Sequence, residues 1–165
     1  LQGNAGGGAR FDEVCPAGQI LIGFAGSIRA GATYVGQLQV VCGEVRFMDA
    51  GVTTQNGILF PLRGAAGGGA NINQVCPLGH AVSGYGGRAG ALIDQLFVNC
   101  AQLEIEGGHV VPGVIQALPP SGGQGGNLFP DVNCPAGQLA IGGIIRAGDG
   151  IDAVGITCAP LSIAP

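Results

Sequence analysis

Apolar residues in this chain fall in short runs broken by glycine, and no segment sustains the 3.6-residue period of an amphipathic helix. Gln19 to Gly26 (Gln-Ile-Leu-Ile-Gly-Phe-Ala-Gly) and Tyr34 to Cys42 read as two strands around a turn at Arg29-Ala30-Gly31. They are too short, and too rich in glycine and β-branched residues, for helices. Polar and apolar residues alternate from Glu44 to Met48, predicting a half-exposed strand. Turn signals at Asp49-Ala50-Gly51 and Gln55-Asn56-Gly57 then lead to a strand from Ile58 to Leu62, with Pro61 placed on an edge. The scheme recurs with Ala81 to Gly86, a turn at Ala89-Gly90, Ile93 to Cys100, an alternating stretch from Gln102 to Glu106, and Val110 to Leu118 interrupted by Pro112. After the loop Pro119-Pro120-Ser121-Gly122-Gly123, a third pass gives Leu139 to Ile145, Ile151 to Cys158 and a short Leu161-Ser162-Ile163. Residues 1–8 are glycine-rich with little strand character. The pattern predicts an all-β protein.

The recurrence is an internal repeat, which constrains the fold before any residue is asked for function. In each pass a glycine loop precedes a Cys-Pro corner, an apolar strand, an Arg-Ala-Gly turn and a second strand closing on cysteine. The loops are Gly6-Gly7-Gly8, Gly67-Gly68-Gly69 and Gly125-Gly126; the turns start at Arg29, Arg88 and Arg146. The bounds are approximately 1–50, 51–107 and 108–165 within a single domain, 1–165. Units of about 55 residues are too small to bury a core alone. Three Greek-key-sized sheets about a pseudo-threefold axis would bury their inner faces together as a β-prism. The linkers after Cys42 and Cys100 each supply two strands, whereas the two chain ends together supply about one. One sheet is therefore expected to lack a strand, leaving an edge open to a partner.

Composition narrows the function classes. There are 34 glycines, no tryptophan, and 10% charged residues where roughly 25% is ordinary. All six basic residues are arginine and the net charge is −4, so nucleic-acid binding has no electrostatic support. At 47% hydrophobic residues the chain has apolar surface to bury, against disorder. No run qualifies as a membrane span, the charge-poor Gly107 to Pro130 being broken by Pro112, Pro119 and Pro120. The absence of an initiator Met and of a signal-peptide pattern fits a mature chain whose leader has been removed.

Six cysteines allow many pairings, and the repeat selects Cys15–Cys42, Cys76–Cys100 and Cys134–Cys158 as the economical one. Zinc is the rival reading, but no Cys-x-x-Cys or paired-His spacing is present. Disulfides imply an oxidising compartment, extracellular or periplasmic. Loops of about 25 residues would each stabilise the fold by roughly 3.5 kcal/mol in the chain-entropy model.

Gly122-Gly123-Gln124-Gly125-Gly126-Asn127-Leu128-Phe129 resembles the Gly-Gly-x-Gly-Gly-x-x-Phe loop of jacalin-related lectins. Arg-Ala-Gly-x-x-Ile-Asp at 88–94 and 146–152 resembles their Gly-x-x-x-Asp sugar-binding turn. The cysteine layout, Cys-Pro-x-Gly followed by Gly-Phe or Gly-Tyr and a closing Cys, is similar to that of vitelline membrane outer layer protein. The resemblance implies a three-sheet β-prism with sugar sites at its corners, an aspartate accepting bonds from two hydroxyls and glycine N–H groups completing a cradle. Carried over by position, the candidates are Gly90 and Asp94 with Gly67 and Gly68, and Gly148 and Asp152 with Gly125 and Gly126. Unit one departs from the motif, reading Arg29-Ala30-Gly31-Ala32-Thr33-Tyr34-Val35-Gly36 with an insertion and no Asp. The aromatic that often precedes the Asp is Leu92 in unit two and Gly150 in unit three. Stacking on a pyranose is scarcely available, and any binding is expected to be weak.

Each feature also has a plain structural reading. Asp94 and Asp152 could pair with the arginine six residues earlier or cap the turn, and the glycines could serve only tight turns. Glu104 and Glu106 imitate a glycosidase pair but suit a solvated strand. His80 and His109 lack a nucleophile at suggestive spacing, and the acids show no calcium-loop clustering. No catalytic residue, metal or cofactor is expected. With ten acidic and six basic residues on a chain of positive mean hydropathy, burial between copies is expected. The sequence thus points to a non-enzymatic, extracellular, lectin-like β-prism that binds glycans weakly and self-associates. A structural subunit of a filament, tube or coat with no ligand is the alternative.

Overall fold

The computed structural model describes residues 1–65 and 67–163, and every regular element in it is a β-strand. The first repeat supplies β1 (Gln2–Gly3), β2 (Ala9–Val14), β3 (Gln19–Arg29) and β4 (Val35–Met48). Next come β5 (Gly51–Leu59), β6 (Arg63–Gly64), β7 (Gly68–Val75), β8 (His80–Ala89) and β9 (Ile93–Glu106). The remainder are β10 (His109–Ala117), β11 (Ser121–Gly122), β12 (Asn127–Asn133), β13 (Leu139–Ala147), β14 (Ile151–Ala159) and β15 (Leu161–Ser162). They form three antiparallel sheets, β2-β13-β14-β1, β7-β3-β4-β5 with β6 also on β4, and β12-β8-β9-β10-β15 with β11 also on β9. This is the expected all-β prism of three sheets.

Each sheet is centred on a predicted hairpin, β3/β4, β8/β9 or β13/β14, but takes its flanking strands from a neighbouring repeat, among them the one beside the first strand of the hairpin. β7 pairs with β3, β12 with β8, and β2 with β13. Those three strands were not evident in the sequence, because they are largely exposed and carry little apolar alternation. Each runs into a Cys-Pro corner whose cysteine N–H donates across the sheet: Cys15 to Ile141 O at 2.8 Å, Cys76 to Ile22 O at 2.7 Å and Cys134 to Ser83 O at 2.8 Å. The three acceptors occupy matching bulges in β13, β3 and β8. A bulge turns the residue out of the regular ladder, and here its carbonyl anchors the incoming corner.

Several expected boundaries are corrected. Glu44–Met48 and Gln102–Glu106 are continuations of β4 and β9, not separate strands. Gln55-Asn56-Gly57 is not a turn but part of β5, where the register slips between Leu59 opposite Val41 and Asn56 opposite Gly43. Gly57 packs against Cys42 O and the Gln19 side chain, whose Oε1 accepts from Ile58 N at 3.1 Å. The strand ends at Leu59, so Pro61 lies beyond it.

Phe24, Tyr85, Leu38, Leu96, Ile145 and Ile151 are fully buried in one cluster where the three inner faces meet. Tyr85 spans two sheets, its hydroxyl donating to Val154 O at 2.9 Å. Burial pushes its phenol pKa up to about 12, opposed by a hydrogen bond from the Gln2 backbone. Two polar braces join sheet to sheet. Buried Glu13 on β2 accepts from Arg63 Nε at 2.8 Å, and Arg63 also lies over the Phe11 ring at 3.9 Å. At the matching place on β7, buried Gln74 donates to Pro119 O at 2.7 Å and Ser121 Oγ at 2.9 Å, and accepts from Val98 N at 3.1 Å. The disulfides are Cys15–Cys42, Cys76–Cys100 and Cys134–Cys158, as the repeat selects.

The sheets are unequal. The outer sides of β4 and β9 are covered by the long strands β5 and β10, whereas β14 meets only β1, through Gln2↔Val154 and Gly3↔Ala153. Beyond that, Gly155 to Ala159 has no strand on its outer side among the described residues. β15 follows Pro160 away from this sheet and pairs with β10 instead. The expected missing strand is this one.

Candidate functional site

Strand pairing locates the two aspartates. Gln95 and Ala153 pair with Gly122 of β11 and Gly3 of β1, so Asp94 on β9 and Asp152 on β14 each stand one residue before the position that pairs with a glycine of a short strand. The glycine loop that follows then folds over the carboxylate. A methyl group added at Gly125 would strike Asp94 Oδ1, and one at Gly126 would meet Asp94 Oδ2 and the Ala89 carbonyl. Around Asp152 the same places belong to Gly7 and Gly8, with Ala147 behind. Gly90 and Gly148 close the other side, their ideal Cβ positions 3.8 and 3.7 Å from Oδ2 of Asp94 and Asp152. Only residues without a β-carbon let backbone approach a carboxylate so closely.

This corrects the pairing expected by position. Gly125 and Gly126 face Asp94, not Asp152, and the loop facing Asp152 is Gly7-Gly8. Each loop serves the aspartate of another repeat for the same reason that the strand after it joins another sheet. Gly7 and Gly8 were therefore missed, although their triplet with Gly6 was visible as a repeat. Gly67 and Gly68 lie beside the turn of unit one, Gly67 O accepting from Ala30 N. There Gly36 occupies the aspartate position, since Gln37 pairs with Gly64 as Gln95 does with Gly122. The third cradle has no carboxylate.

The arginines hold the loops. Arg88 donates from Nε to Gly125 O at 2.9 Å and from Nη2 to Gly126 O at 3.0 Å. Arg146 repeats this with Gly7 O at 2.7 Å and Gly8 O at 3.0 Å. Neither arginine forms a salt bridge with its aspartate among the described residues, so the Arg–Asp pairing is not what the structure contains. The planar guanidinium suits two neighbouring carbonyls. Arg29 is not the equivalent residue despite its Arg-Ala-Gly context. Counting from the bulges, Ser27 pairs with Gln37 as Arg88 does with Gln95, while Arg29 reaches Asp149 O at 3.2 Å.

The cradles keep unfilled hydrogen-bonding capacity. Asp152 Oδ2 is buried without a partner. The Asp94 backbone O accepts from Gly123 N at 2.8 Å, and the Asp152 backbone O from Asn4 N at 2.8 Å. Among the described residues no backbone bond uses the Gly125 or Gly126 N–H. In the Asp152 cradle Gly7 N donates to Asn4 O at 3.1 Å, so the Asp94 cradle is the one with a carboxylate beside unused loop amides. That pairing, with no salt bridge among the described residues, suits a neutral molecule that both donates and accepts hydrogen bonds. Tyr34 lies against Gly150, its Cε2 3.2 Å from where a Cβ would stand, and Leu92 packs there too.

The remaining candidates stand elsewhere. Glu104 and Glu106 are exposed at the end of β9, Glu104 against Gly113. His80 Nδ1 is 3.0 Å from Leu78 O, and His109 Nδ1 is 3.4 Å from Ser162 Oγ. Among the described residues no three His, Cys, Asp or Glu side chains gather as metal ligands, and no helix is long and apolar enough to cross a membrane.

No family model matches the sequence, and no curated protein is similar to it. Solved structures are similar to it across almost its whole length. A prostate-specific WGA16 glycoprotein lectin superposes with a TM-score of 0.65 at 17% identity, covering 96% of this chain and 95% of that one. Malaysian banana lectin gives 0.64 at 16% identity, over 96% and 94%. Artocarpin, solved in complex with Me-alpha-mannose, gives 0.61 at 16% identity, over 96% and 95%. At such identities the likeness establishes the fold, that of the jacalin-like β-prism lectins.

Proposed function

We propose that this protein is a non-enzymatic lectin of an extracellular setting, binding neutral sugars weakly at two cradles. One is Asp94 with Gly90, Gly125 and Gly126; the other is Asp152 with Gly148, Gly7 and Gly8. The observation that carries this is the twofold recurrence of one arrangement, a carboxylate closed in by a glycine loop whose carbonyls an arginine holds. The unpartnered Asp152 Oδ2 supports it, because such an oxygen costs roughly 1–3 kcal/mol; with a small loop shift, a sugar hydroxyl would answer it. The fold shared with artocarpin, and with Calsepa lectin solved in complex with a biantennary N-glycan, lends further support. Three disulfides fit an oxidising, extracellular setting. The test is a glycan array with the wild type and Asp94→Ala/Asp152→Ala. Binding by the wild type, abolished in the double variant, is expected; binding that survives it removes these residues.

A second reading, compatible with the first, is assembly into a filament, tube or coat. The open side of β14 from Gly155 to Ala159 favours it. By position β14 matches the inner strands β4 and β9, so its exposed ladder has the composition of a covered one, and such edges template pairing.

A further inference from the structure

The outer faces of the three sheets differ in a way that the cradles do not explain. On the β7-β3-β4 face, outward residues form two rows in register: Asn73, Ala25 and Gln39, then Asn71, Ser27 and Gln37. Leu62, 49% exposed, walls one side, and the rows floor an open groove of about 560 Å³. Its polar side chains are four primary amides and one hydroxyl, with no charge. Among the described residues none of the four amides has a side-chain hydrogen bond, although bonds of that kind tie down Gln74, Asn99 and Gln19.

On the other two sheets, side chains at the positions matching Asn71 and Asn73 engage partners within the protein. On the β12-β8-β9 face, Asn99 Nδ2 donates to Asp131 Oδ2 at 3.2 Å and Asn133 Oδ1 at 3.3 Å. The Phe97 ring lies over Gly86, which stands where the open face has Ala25. On the β2-β13-β14 face, Arg10 and Asp12 pair at 2.8 Å. One face in three is left with unspent donors and acceptors over a shallow, open floor.

We infer that this face is a second saccharide site, separate from the cradles, which takes an extended neutral oligosaccharide across strands β7, β3 and β4. Each amide offers two N–H donors and a carbonyl acceptor, the mixture that vicinal hydroxyls match. Adjacent strands are about 4.8 Å apart, so a chain lying across them meets a polar side chain on each outer strand. The lack of charge disfavours nucleotides and acidic polymers, and Leu62 offers apolar surface to sugar C–H groups. A single sugar reaches too few of these groups to be held; several linked ones reach both rows.

The experiment is an amide NMR titration of the ¹⁵N-labelled Asp94→Ala/Asp152→Ala variant, which disarms the cradles, with cellohexaose, maltohexaose and mannohexaose. At least one hexasaccharide should shift Ala25, Ser27, Gln37, Gln39, Asn71 and Asn73 together, while its monosaccharide leaves them unmoved. Adding Gln39→Ala/Asn73→Ala, both outward-facing, should weaken binding about tenfold or more. No shift on this face with any hexasaccharide at millimolar concentration overturns the inference, as does equal binding after the amides are removed. The wild type is run beside it: shifts confined to the cradles support the proposed function and sink this site, and shifts confined to this face do the reverse.

Discussion

Glycines with similar spacing in the sequence carry different burdens. Gly126 has φ +59° and abuts the Ala89 carbonyl, so Gly126→Ala combines backbone strain with a clash. It should cost about 1–3 kcal/mol, read as a lower Tm. Gly125 is free of the positive φ, but its added methyl would displace Asp94 Oδ1. Gly125→Ala should therefore weaken sugar binding more than stability, and calorimetry with an array separates the two. Tyr85 makes a pH-dependent contribution. Its folded pKa of about 12 lies above the ordinary value of 10.0, so the unfolded chain ionises first. Stability should be whole below pH 10 and fall as pH rises towards 12, by about 2 kcal/mol or more. In Tyr85→Phe that share of the alkaline loss should vanish from denaturant curves; an unchanged pH profile would contradict the assignment.

At the scale of elements, the apolar hairpins were legible, because burial on both faces writes itself as runs of Val, Ile and Leu. The strands before each Cys-Pro corner were not. Ala9–Val14 and Asn127–Asn133 are mostly exposed and held by pairing to another repeat, a long-range fact without local signature. The same exchange hid the correct loop for each aspartate. It also hid that Arg29, identical in local context to Arg88, sits two residues beyond the equivalent place. Where elements from different repeats meet, polar braces fix the registry. Gln74→Leu should cost about 1–3 kcal/mol by leaving Val98 N and Ser121 without their partner. Gln74→Glu should retain part of that, since its carboxylate still accepts from Val98 N. Equal Tm for wild type and Leu variant would remove the brace from the account.

For the whole molecule, counting strands per unit gave the incomplete sheet, because the shortage lies in how much chain flanks the third hairpin. The sequence could not show which edge would be exposed, since β15 leaves for another sheet. If β14 is an assembly edge, the wild type should grow in mass with concentration in size-exclusion light scattering. Thr157→Lys should hold it as a monomer, a lysine on an edge strand being a common guard against pairing. A wild type that stays monomeric at high concentration would rule out assembly through this strand.

The central claim is that two of three similar glycine loops bind sugar because only two face a carboxylate. The third loop is an internal control, and one wild-type amide NMR titration with methyl α-mannoside, glucose, galactose and N-acetylglucosamine uses it. A binding sugar should shift Gly7, Gly8 and Asp152 together with Gly125, Gly126 and Asp94, and leave Gly67 and Gly68 in place. Shifts at all three loops alike, or at none with any of the four sugars, would contradict the claim.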